Sequence, residues 1–351
     1  MFQILLRSGQ AEFLEGRIEG MRENSKLLDR IKISVLRYFD VSNDGVVFDD
    51  IVGGFTGAAK YKVEVEGRGS YFLKVADEKT HELDAFLIEA EGKIYDFLDK
   101  VGLVGDVFPK FDGLISEDGF KILVIDYLDN VSWGGPWNTK TVELLDRTLK
   151  RLHTTDLSEG EKKEIIKLAD SVRGRLGQKT SEYIESEVDK KKKREEFLKA
   201  WDVSGRGFLN AKGEIYFNGN KDLAEEVLDV ASSATKVKQT QLIMHDMNFA
   251  NIGFSKDRAY LVDPVFVGLG SEYFDRTVAG VNILLGLRSG GDLEVKKLVT
   301  ERFLVNRVAL AKLIKYYVDS SFKKLGMSQD AWQKFHQNCA EVALGVFIEM
   351  K

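Results

Sequence analysis

The stretch YKVEVEGRGSYFLKV, residues 61–75, decides the fold of the first third of this chain. Its first half alternates apolar with charged side chains, which is the period of a strand with one buried face. Gly-Arg-Gly at 67–69 turns the chain, and 71–75 returns as a second strand. Another strand over 46–52 precedes them, so the pattern predicts an antiparallel meander of three strands joined by glycine turns.

Outward from this meander, apolar residues recur at helical spacing. The spacing predicts a helix over 80–100, a buried strand over 121–125 and mainly helical structure after Pro136. Residues 11–40 also have a helical pattern. A strand-rich first third before a helical remainder indicates an α+β protein with two lobes.

The junction between the two parts is placed near 126–130. We expect an N-lobe of residues 1–127, made of N-terminal helices, an antiparallel sheet and one further helix. A helical C-lobe of residues 128–351 follows. The length of 351 residues suits one large two-lobed unit or two domains.

Composition narrows the classes of function. The net charge of −5 argues against broad nucleic-acid binding, which needs a basic surface, and is compatible with a cationic small molecule. Cys339 is the single cysteine, so an internal disulfide is impossible, which fits a reducing compartment. No stretch approaches the roughly 18 apolar residues of a membrane span, and the start does not resemble a signal peptide. We therefore expect a cytoplasmic protein without nucleic-acid or membrane partners.

The chemistry is concentrated in MHDMNFANIGF, residues 244–254, and in the following YLVDP, residues 260–264. Polar residues between two apolar strands place Asp246 and Asn251 in a loop and Asp263 at a strand end. Phosphoryl transfer needs such parts: one carboxylate orients the acceptor hydroxyl, and a carboxylate with an amide oxygen holds magnesium. The alternative is a hairpin with turn-forming Asp and Asn.

Six segments, in this order along the chain, resemble the aminoglycoside phosphotransferase and choline kinase-like superfamily over residues 50–280. They are the loop Gly53, Gly54, Phe55, Thr56 and Gly57, the strand 71–75 with Lys74, the helix 91–98 with Glu91, the hinge-like Asp126, Tyr127 and Leu128, the helix 144–153 ending in Leu-His, and the loop with Asp246, Asn251 and Asp263. A further segment, 268–270 with Asp275, resembles the part that follows the metal-binding Asp.

The resemblance implies a protein kinase-like two-lobed fold, with ATP as co-substrate and Mg²⁺ as metal. The loop 53–57 would cover the nucleotide, and 126–128 would frame adenine through backbone atoms. Asp246 would be the catalytic residue, while Asn251 and Asp263 would hold Mg²⁺.

Lys74 is assigned by the resemblance to the nucleotide phosphates, with Glu91 as its ion-pair partner. Glu91 is preferred over Glu89 because it stands four residues before Tyr95, as the resemblance suggests, and only one of the two can face the lysine. The alternatives are a solvent-facing lysine and, for loop 53–57, a plain hairpin turn. Asp275 is expected either to brace the catalytic loop or to cap the helix after it.

One position departs from the family. His245 stands where the family usually has Gly, so it must reach any glycine-like backbone angle at a cost. Bacteriophage-encoded protein kinases also resemble this stretch.

The expected function is an ATP- and Mg-dependent phosphotransferase that moves the γ-phosphoryl group to a hydroxyl acceptor, a small molecule before a protein. The alternatives are a phage-type protein Ser/Thr kinase and a kinase-like scaffold that binds nucleotide without turnover. We expect region 155–240 and the helices after 280 to build the acceptor site, where Glu182, Glu185 and Glu187 would favour a cation.

Overall fold

The computed structural model describes residues 24–52, 57–177, 187–204, 220–233, 240–288, 291–320 and 329–350. Three groups of sequence predictions lie outside these residues. They are the helix before residue 24, the loop residues Gly53, Gly54, Phe55 and Thr56, and the acidic residues Glu182 and Glu185; of Glu187 only the backbone is described.

The described chain divides into two units. The first runs to Val131 and also includes Lys167–Val172 and Leu261–Val265. The second comprises Ser132–Ile166, Arg173–Tyr260 and the chain from Phe266 onward.

The first unit contains a five-stranded antiparallel sheet, whose strands in chain order are β1 (Val46–Asp50), β2 (Ala59–Val65), β3 (Gly69–Asp77), β4 (Phe111–Glu117) and β5 (Phe120–Asp126). The strand order is β1-β2-β3-β5-β4. The predicted meander β1-β2-β3 is confirmed, with Tyr61 opposite Leu73. At the β2–β3 turn, Gly67 and Gly69 have φ of 72° and 120°, which only glycine adopts readily.

The two faces of this sheet are covered by different helices. Buried side chains of β2 and β3, such as Val63 and Leu73, pack with Ile31 and Val35 of α1 (Asn24–Phe39). Helix α2 (Glu82–Lys100) contacts β3 and β5 and receives Lys74 from the other face. The strand alternation of 61–75 therefore separates an apolar core from a face that carries charge.

Strand β4 is the strand of the five-stranded sheet that the sequence pattern did not predict. A register shift between Phe111 and Gly113 breaks the period of two. The turn to β5 is Asp118-Gly119, with φ of 53° and 80°. Asp-Gly with two positive φ angles is a frequent hairpin turn, so this dipeptide was an available signal.

After β5 the chain is mainly helical, as predicted. The helices are α3 (Thr139–His153), α4 (Glu159–Arg175), α5 (Glu187–Ser204), α6 (Lys221–Ser233), α7 (Glu272–Gly286), α8 (Leu293–Phe303), α9 (Arg307–Ser320) and α10 (Gln329–Glu349). Helix α3 begins with a capping box between Asn138 and Thr141, and it buries Leu144, Leu145, Leu149 and Leu152. Within the described ranges, no helix is long and apolar enough to cross a membrane.

Short strands frame the loop that carries the chemistry. They are β6 (Ser132–Trp133), β7 (Gln241–Ile243), β8 (Ile252–Phe254), β9 (Ala259–Leu261) and β10 (Gly268–Gly270). β7 pairs with β10, and β6, β8 and β9 form a three-stranded sheet. The two strand-like runs predicted on either side of 244–258 correspond to β7 and β9.

Candidate active site

Lys74 lies at the centre of an ion cluster in the first unit. Strand β3 points its side chain away from the core residues Leu73 and Val75. Its Nζ lies 2.7 Å from Glu91 Oε2 and 2.9 Å from Asp263 Oδ1. The structure thus brings together three residues that the sequence analysis selected from a strand, a helix and a distant strand end.

The neighbouring acid on α2, Glu89, faces elsewhere. Its carboxylate lies 2.6 Å from Lys93 Nζ and 3.3 Å from Lys121 Nζ. Glu89 and Glu91 are two positions apart on a helix, which turns them about 200° from each other. Of the two candidates, the helix therefore presents Glu91 to Lys74.

Burial and charge act against each other in this cluster. Burial by itself disfavours the Lys74 ammonium, but attraction by Asp263 and Glu91 outweighs it and raises the pKa of Lys74. Burial raises the pKa of Glu91 to about 7, although Lys74 opposes this. Burial also acts to raise the pKa of Asp263, but Lys74 overcomes it and holds that pKa below its ordinary value. The cluster therefore favours a charged Lys74 and an ionised Asp263, whereas the pKa of Glu91 lies near neutral pH.

Asp263 is the accessible member of the cluster. Its side chain is 40% exposed, against 13% for Lys74 and 4% for Glu91. It follows β9 and has a φ of 62°, a region that Asp tolerates better than most residues other than glycine. A carboxylate that is fixed by a lysine and still exposed is suited to a further cation.

The hinge-like residues Asp126, Tyr127 and Leu128 lie at and just beyond the end of β5. The N–H of Asp126 donates to Lys110 O at 2.8 Å, and the N–H of Tyr127 donates to Ser70 O at 2.9 Å. Among the described residues, the N–H of Leu128 has no protein acceptor. Of the three, Leu128 therefore offers a backbone donor to a planar base.

Gly57 is the described end of the predicted nucleotide-covering loop. A Cβ at Gly57 would lie 2.7 Å from Asp84 Oδ2 and 3.1 Å from His81 Nδ1, both near the start of α2. A side chain here would displace the Asp84 carboxylate, the free end of a flexible side chain, so the close approach disfavours a larger residue only mildly.

In the second unit, the loop between β7 and β8 presents Asp246. Its Oδ2 accepts from Asn251 Nδ2 at 3.0 Å, and its Oδ1 accepts from Asn248 Nδ2 at 2.9 Å. Asn251 Nδ2 also lies 3.1 Å from the Asp246 backbone carbonyl. The structure therefore brings Asp246 and Asn251 into contact, and it adds Asn248, which the sequence analysis did not select.

His245 has the backbone angle expected of the glycine that it replaces. Its φ is 65°, in the left-handed region that side chains other than Asn and Asp seldom adopt. Burial lowers the pKa of the ring, and Nε2 lies 3.4 Å from Arg173 Nη2. Because arginine only donates, Nε2 is the accepting nitrogen of a neutral ring. The ring and its contacts compensate for part of the backbone strain.

Asp275 holds the same loop from α7. Its Oδ2 accepts from Met244 N at 2.7 Å, and its Oδ1 accepts from His245 N at 3.0 Å. Oδ2 also lies 3.1 Å from His153 Nε2, and both side chains are fully buried. Ser271, not Asp275, occupies the N-cap position of α7. Of the two roles left open by the sequence, the geometry favours bracing.

Two supporting residues were not selected from the sequence. His153 ends α3 and contacts Asp275, and Asn282 of α7 donates from Nδ2 to Met247 O at 2.9 Å. Asn282 is 2% exposed and lies one turn after the buried Val278 and Ala279, and a polar residue beside such apolar neighbours was the available signal.

The donor atoms present fit magnesium. Mg²⁺ prefers oxygen ligands and is usually held by one or two protein groups together with substrate phosphates and water. Asn251 commits its amide nitrogen to Asp246, which leaves its amide oxygen, and Asp263 offers an exposed carboxylate. In the part of the chain that the structure describes, no three His, Cys, Asp or Glu side chains form a metal-binding group.

Comparison with known proteins gives matches at the level of structure. No family model and no curated protein matches the sequence. The solved structure of choline kinase LicA from Streptococcus pneumoniae matches with a TM-score of 0.51 and 13% identity, over 91% of this chain and 99% of that chain. Aminoglycoside phosphotransferase APH(4)-Ia matches with a TM-score of 0.52 and 10% identity, over 90% and 98%. At these identities the likeness establishes the fold alone: the chain has the α+β, protein kinase-like fold of these two solved structures.

Proposed function

We propose that this protein is an ATP- and Mg-dependent phosphotransferase that moves the γ-phosphoryl group to a hydroxyl acceptor. The observation that carries the proposal is the position of Lys74, whose ammonium lies 2.7 Å from Glu91 and 2.9 Å from Asp263. A lysine fixed in this way is a compact point charge ready for nucleotide phosphates.

The cluster has features that a purely structural ion pair does not need. An isolated pair would be satisfied by Lys74 and Glu91, which are both nearly buried. Asp263 adds a second negative charge, remains exposed and has an uncommon backbone angle. Uncommon backbone angles concentrate at functional sites, where the surrounding structure maintains them.

Asp246 is the proposed catalytic residue. Its two oxygens accept amide N–H bonds from Asn248 and Asn251, so the carboxylate has a defined plane, and a carboxylate oxygen can accept more than one hydrogen bond. In this role it orients the acceptor hydroxyl and accepts its proton as the oxygen attacks the γ-phosphorus.

Asn251 and Asp263 are the proposed magnesium ligands, each through an oxygen. When bound, magnesium neutralises charge on the phosphate oxygens. Asn251 would keep its contact to Asp246 through the amide nitrogen, and Asp263 would keep its contact to Lys74. The backbone N–H of Leu128 is the proposed donor to adenine, with Asp126 and Tyr127 beside it, and 53–57 is the proposed cover of the nucleotide.

A small molecule is the proposed acceptor. Two of the solved structures with this fold are named for choline and for an aminoglycoside, and both are cationic small molecules that carry hydroxyls. The net charge of −5 also suits a cationic acceptor. A protein substrate and nucleotide binding without turnover are treated as outcomes of the test.

The test is transfer of labelled γ-phosphate from ATP to a panel of aminoglycosides, macrolides, amino alcohols, sugars and a protein mixture. The expected result is a labelled small molecule that requires magnesium and disappears in Asp246→Asn. Label on serine or threonine of protein would indicate a protein kinase. ATP binding with no label on any acceptor would indicate a scaffold and contradict the proposal.

A further inference from the structure

Asn248 is the residue whose contacts go furthest beyond the roles proposed so far. It lies two residues after Asp246, in extended backbone at the N-cap position of the single 3₁₀ turn Phe249–Asn251. Its amide has two partners: Oδ1 accepts from Ala250 N at 2.9 Å, and Nδ2 donates to Asp246 Oδ1 at 2.9 Å.

These two contacts make Asn248 a rigid bracket. The carboxamide is planar, so fixing Oδ1 on a backbone N–H also fixes the direction in which Nδ2 points. That direction leads to Asp246, whose other oxygen is held by Asn251. The two asparagines together determine both the position of the carboxylate and the rotation of its plane.

The two asparagines differ in whether they have a second proposed role besides holding the Asp246 carboxylate. Asn251 is also one of the two proposed magnesium ligands, so binding of the magnesium–nucleotide complex would also act on the orientation of its side chain. Within the described part of the chain, the Asn248 side chain bonds inside its own loop, through Ala250 and Asp246. The orientation of Asp246 before the nucleotide complex forms therefore depends on Asn248.

We propose that Asn248 is a positioning residue for phosphoryl transfer, which fixes the Asp246 carboxylate so that it meets the acceptor hydroxyl in line with the γ-phosphorus. This inference rests on the proposed function. Misplacement of a reacting group by about 1 Å can reduce a rate on the order of 100-fold, so a bracket of this kind affects turnover more than binding.

The competing explanation is that Asn248 only caps the 3₁₀ turn. Two substitutions distinguish capping of the turn from positioning of Asp246. Aspartate and serine are both good N-cap residues, but neither supplies the amide N–H that Asp246 accepts. Asn248→Asp is nearly isosteric and puts an acceptor where Asp246 needs a donor. Asn248→Ser is neutral and too short to reach the carboxylate. Asn138→Ser is the matched control, since Asn138 caps α3 through Thr141 N at 3.0 Å and lies outside the regions expected to build the acceptor site.

The experiment measures kcat, the KM for ATP and the melting temperature of each variant, with transfer to an acceptor and hydrolysis of ATP as the two rate assays. We expect kcat to fall about tenfold in Asn248→Ser and about 100-fold in Asn248→Asp. The KM for ATP and the melting temperature should stay close to wild type, and Asn138→Ser should leave all three unchanged. A kcat within about twofold of wild type in both Asn248 variants would overturn the proposal.

A double-mutant cycle tests whether Asn248 acts through Asp246. In an Asp246→Asn background, Asn248→Ser should cause little further loss, because the carboxylate that it positions is gone. Multiplicative losses would also overturn the proposal. If Asp246→Asn is as active as wild type, the proposed function fails instead. If Asp246→Asn is inactive and the Asn248 variants are unaffected, only the inference about Asn248 fails.

Discussion

The Lys74 cluster in the first unit and the Asp246 loop in the second unit hold their carboxylates by different means. Around Lys74, two carboxylates flank one cation, and all three groups are side chains on separate elements. Around Asp246, two amides of the same loop hold the carboxylate, and Asp275 holds the loop backbone. The difference indicates that ion pairing holds the carboxylates around Lys74 in place, whereas directional hydrogen bonds hold the carboxylate of Asp246.

The largest expected effect concerns the Asp246 loop, in which hydrogen bonds hold the carboxylate. Asp246→Asn keeps the size of the side chain and removes the group that accepts the hydroxyl proton, so turnover should fall roughly 10²–10⁴-fold. The affinity for ATP should not change, because the proposed role of Asp246 is to orient the acceptor and not to bind the nucleotide. Steady-state transfer and equilibrium ATP binding are the two measurements.

Asp257→Asn, in the exposed turn between β8 and β9, is the control for loss of one carboxylate. If Asp246→Asn weakens ATP binding as much as it slows transfer, or shifts the magnesium requirement, the assignment of Asp246 to the acceptor is wrong.

The next effect concerns the Lys74 cluster, in which ion pairs hold the side chains. Lys74→Met preserves the length of the side chain and removes the cation, so the ATP dissociation constant should rise roughly 10–100-fold, the equivalent of one charged hydrogen bond of about 1.5–3 kcal/mol. The same change leaves Glu91 buried without its partner. Isothermal titration and thermal unfolding measure the two consequences separately.

Lys74→Met/Glu91→Gln is the matched double variant. It should recover the melting temperature lost in Lys74→Met, because the buried carboxylate is gone, and it should not recover ATP affinity. Recovery of both would mean that Lys74 acts only as a structural partner of Glu91.

A smaller effect follows from the titration of Glu91. Burial raises its pKa from 4.5 to about 7, so the folded state binds more protons than the unfolded state between these values. This contribution to stability is present below pH 4.5 and is lost as the pH rises to about 7. Glu91→Gln removes the titration, so wild type should lose stability relative to the variant over this range, by at most about 1.4 kcal/mol for each increase of one in pH. Urea unfolding at several pH values provides the measurement, and parallel pH profiles would contradict it.

The smallest effect tests whether the loop geometry needs a side chain at 245. His245→Gly relieves a positive φ that costs roughly 1–2 kcal/mol in a residue with a Cβ, and it loses the contacts of the ring with Arg173 and Phe274. These terms oppose each other, so we expect a stability change within about 1 kcal/mol and a kcat within about threefold. A loss of kcat on the scale of Asp246→Asn would show that the ring itself contributes to the chemistry.

The same contrast explains what was predictable from the sequence. Lys74 and Glu91 lie on a strand and a helix with clear periods, so the face that each presents follows from its position. Asp246, Asn251 and Asp263 were selected by their spacing around two short apolar runs. In these cases local pattern and family resemblance were sufficient to select the residues.

Two supports of the loop, His153 and Asn282, were not predictable in this way, and for Asp275 the sequence left two roles open. All three residues reach the loop through tertiary packing of α7 and α3, and no sequence period encodes which loop a buried polar group will meet. Strand β4 was missed for a local reason, since its bulge at Gly113 disrupts the alternation. The Asp118-Gly119 dipeptide indicates a hairpin turn between β4 and β5, even though the alternation of apolar residues does not predict β4.

The bonds from Met244 and His245 to Asp275 have a consequence for the order of folding. Two backbone amides of the loop are donated to a carboxylate about 30 residues later in the chain. Their protons should therefore exchange with solvent only when α7 separates from the loop, and not when the short β7 strand frays. A chain still emerging from the ribosome would possess the whole catalytic loop and lack its shape until α7 had been synthesised and packed.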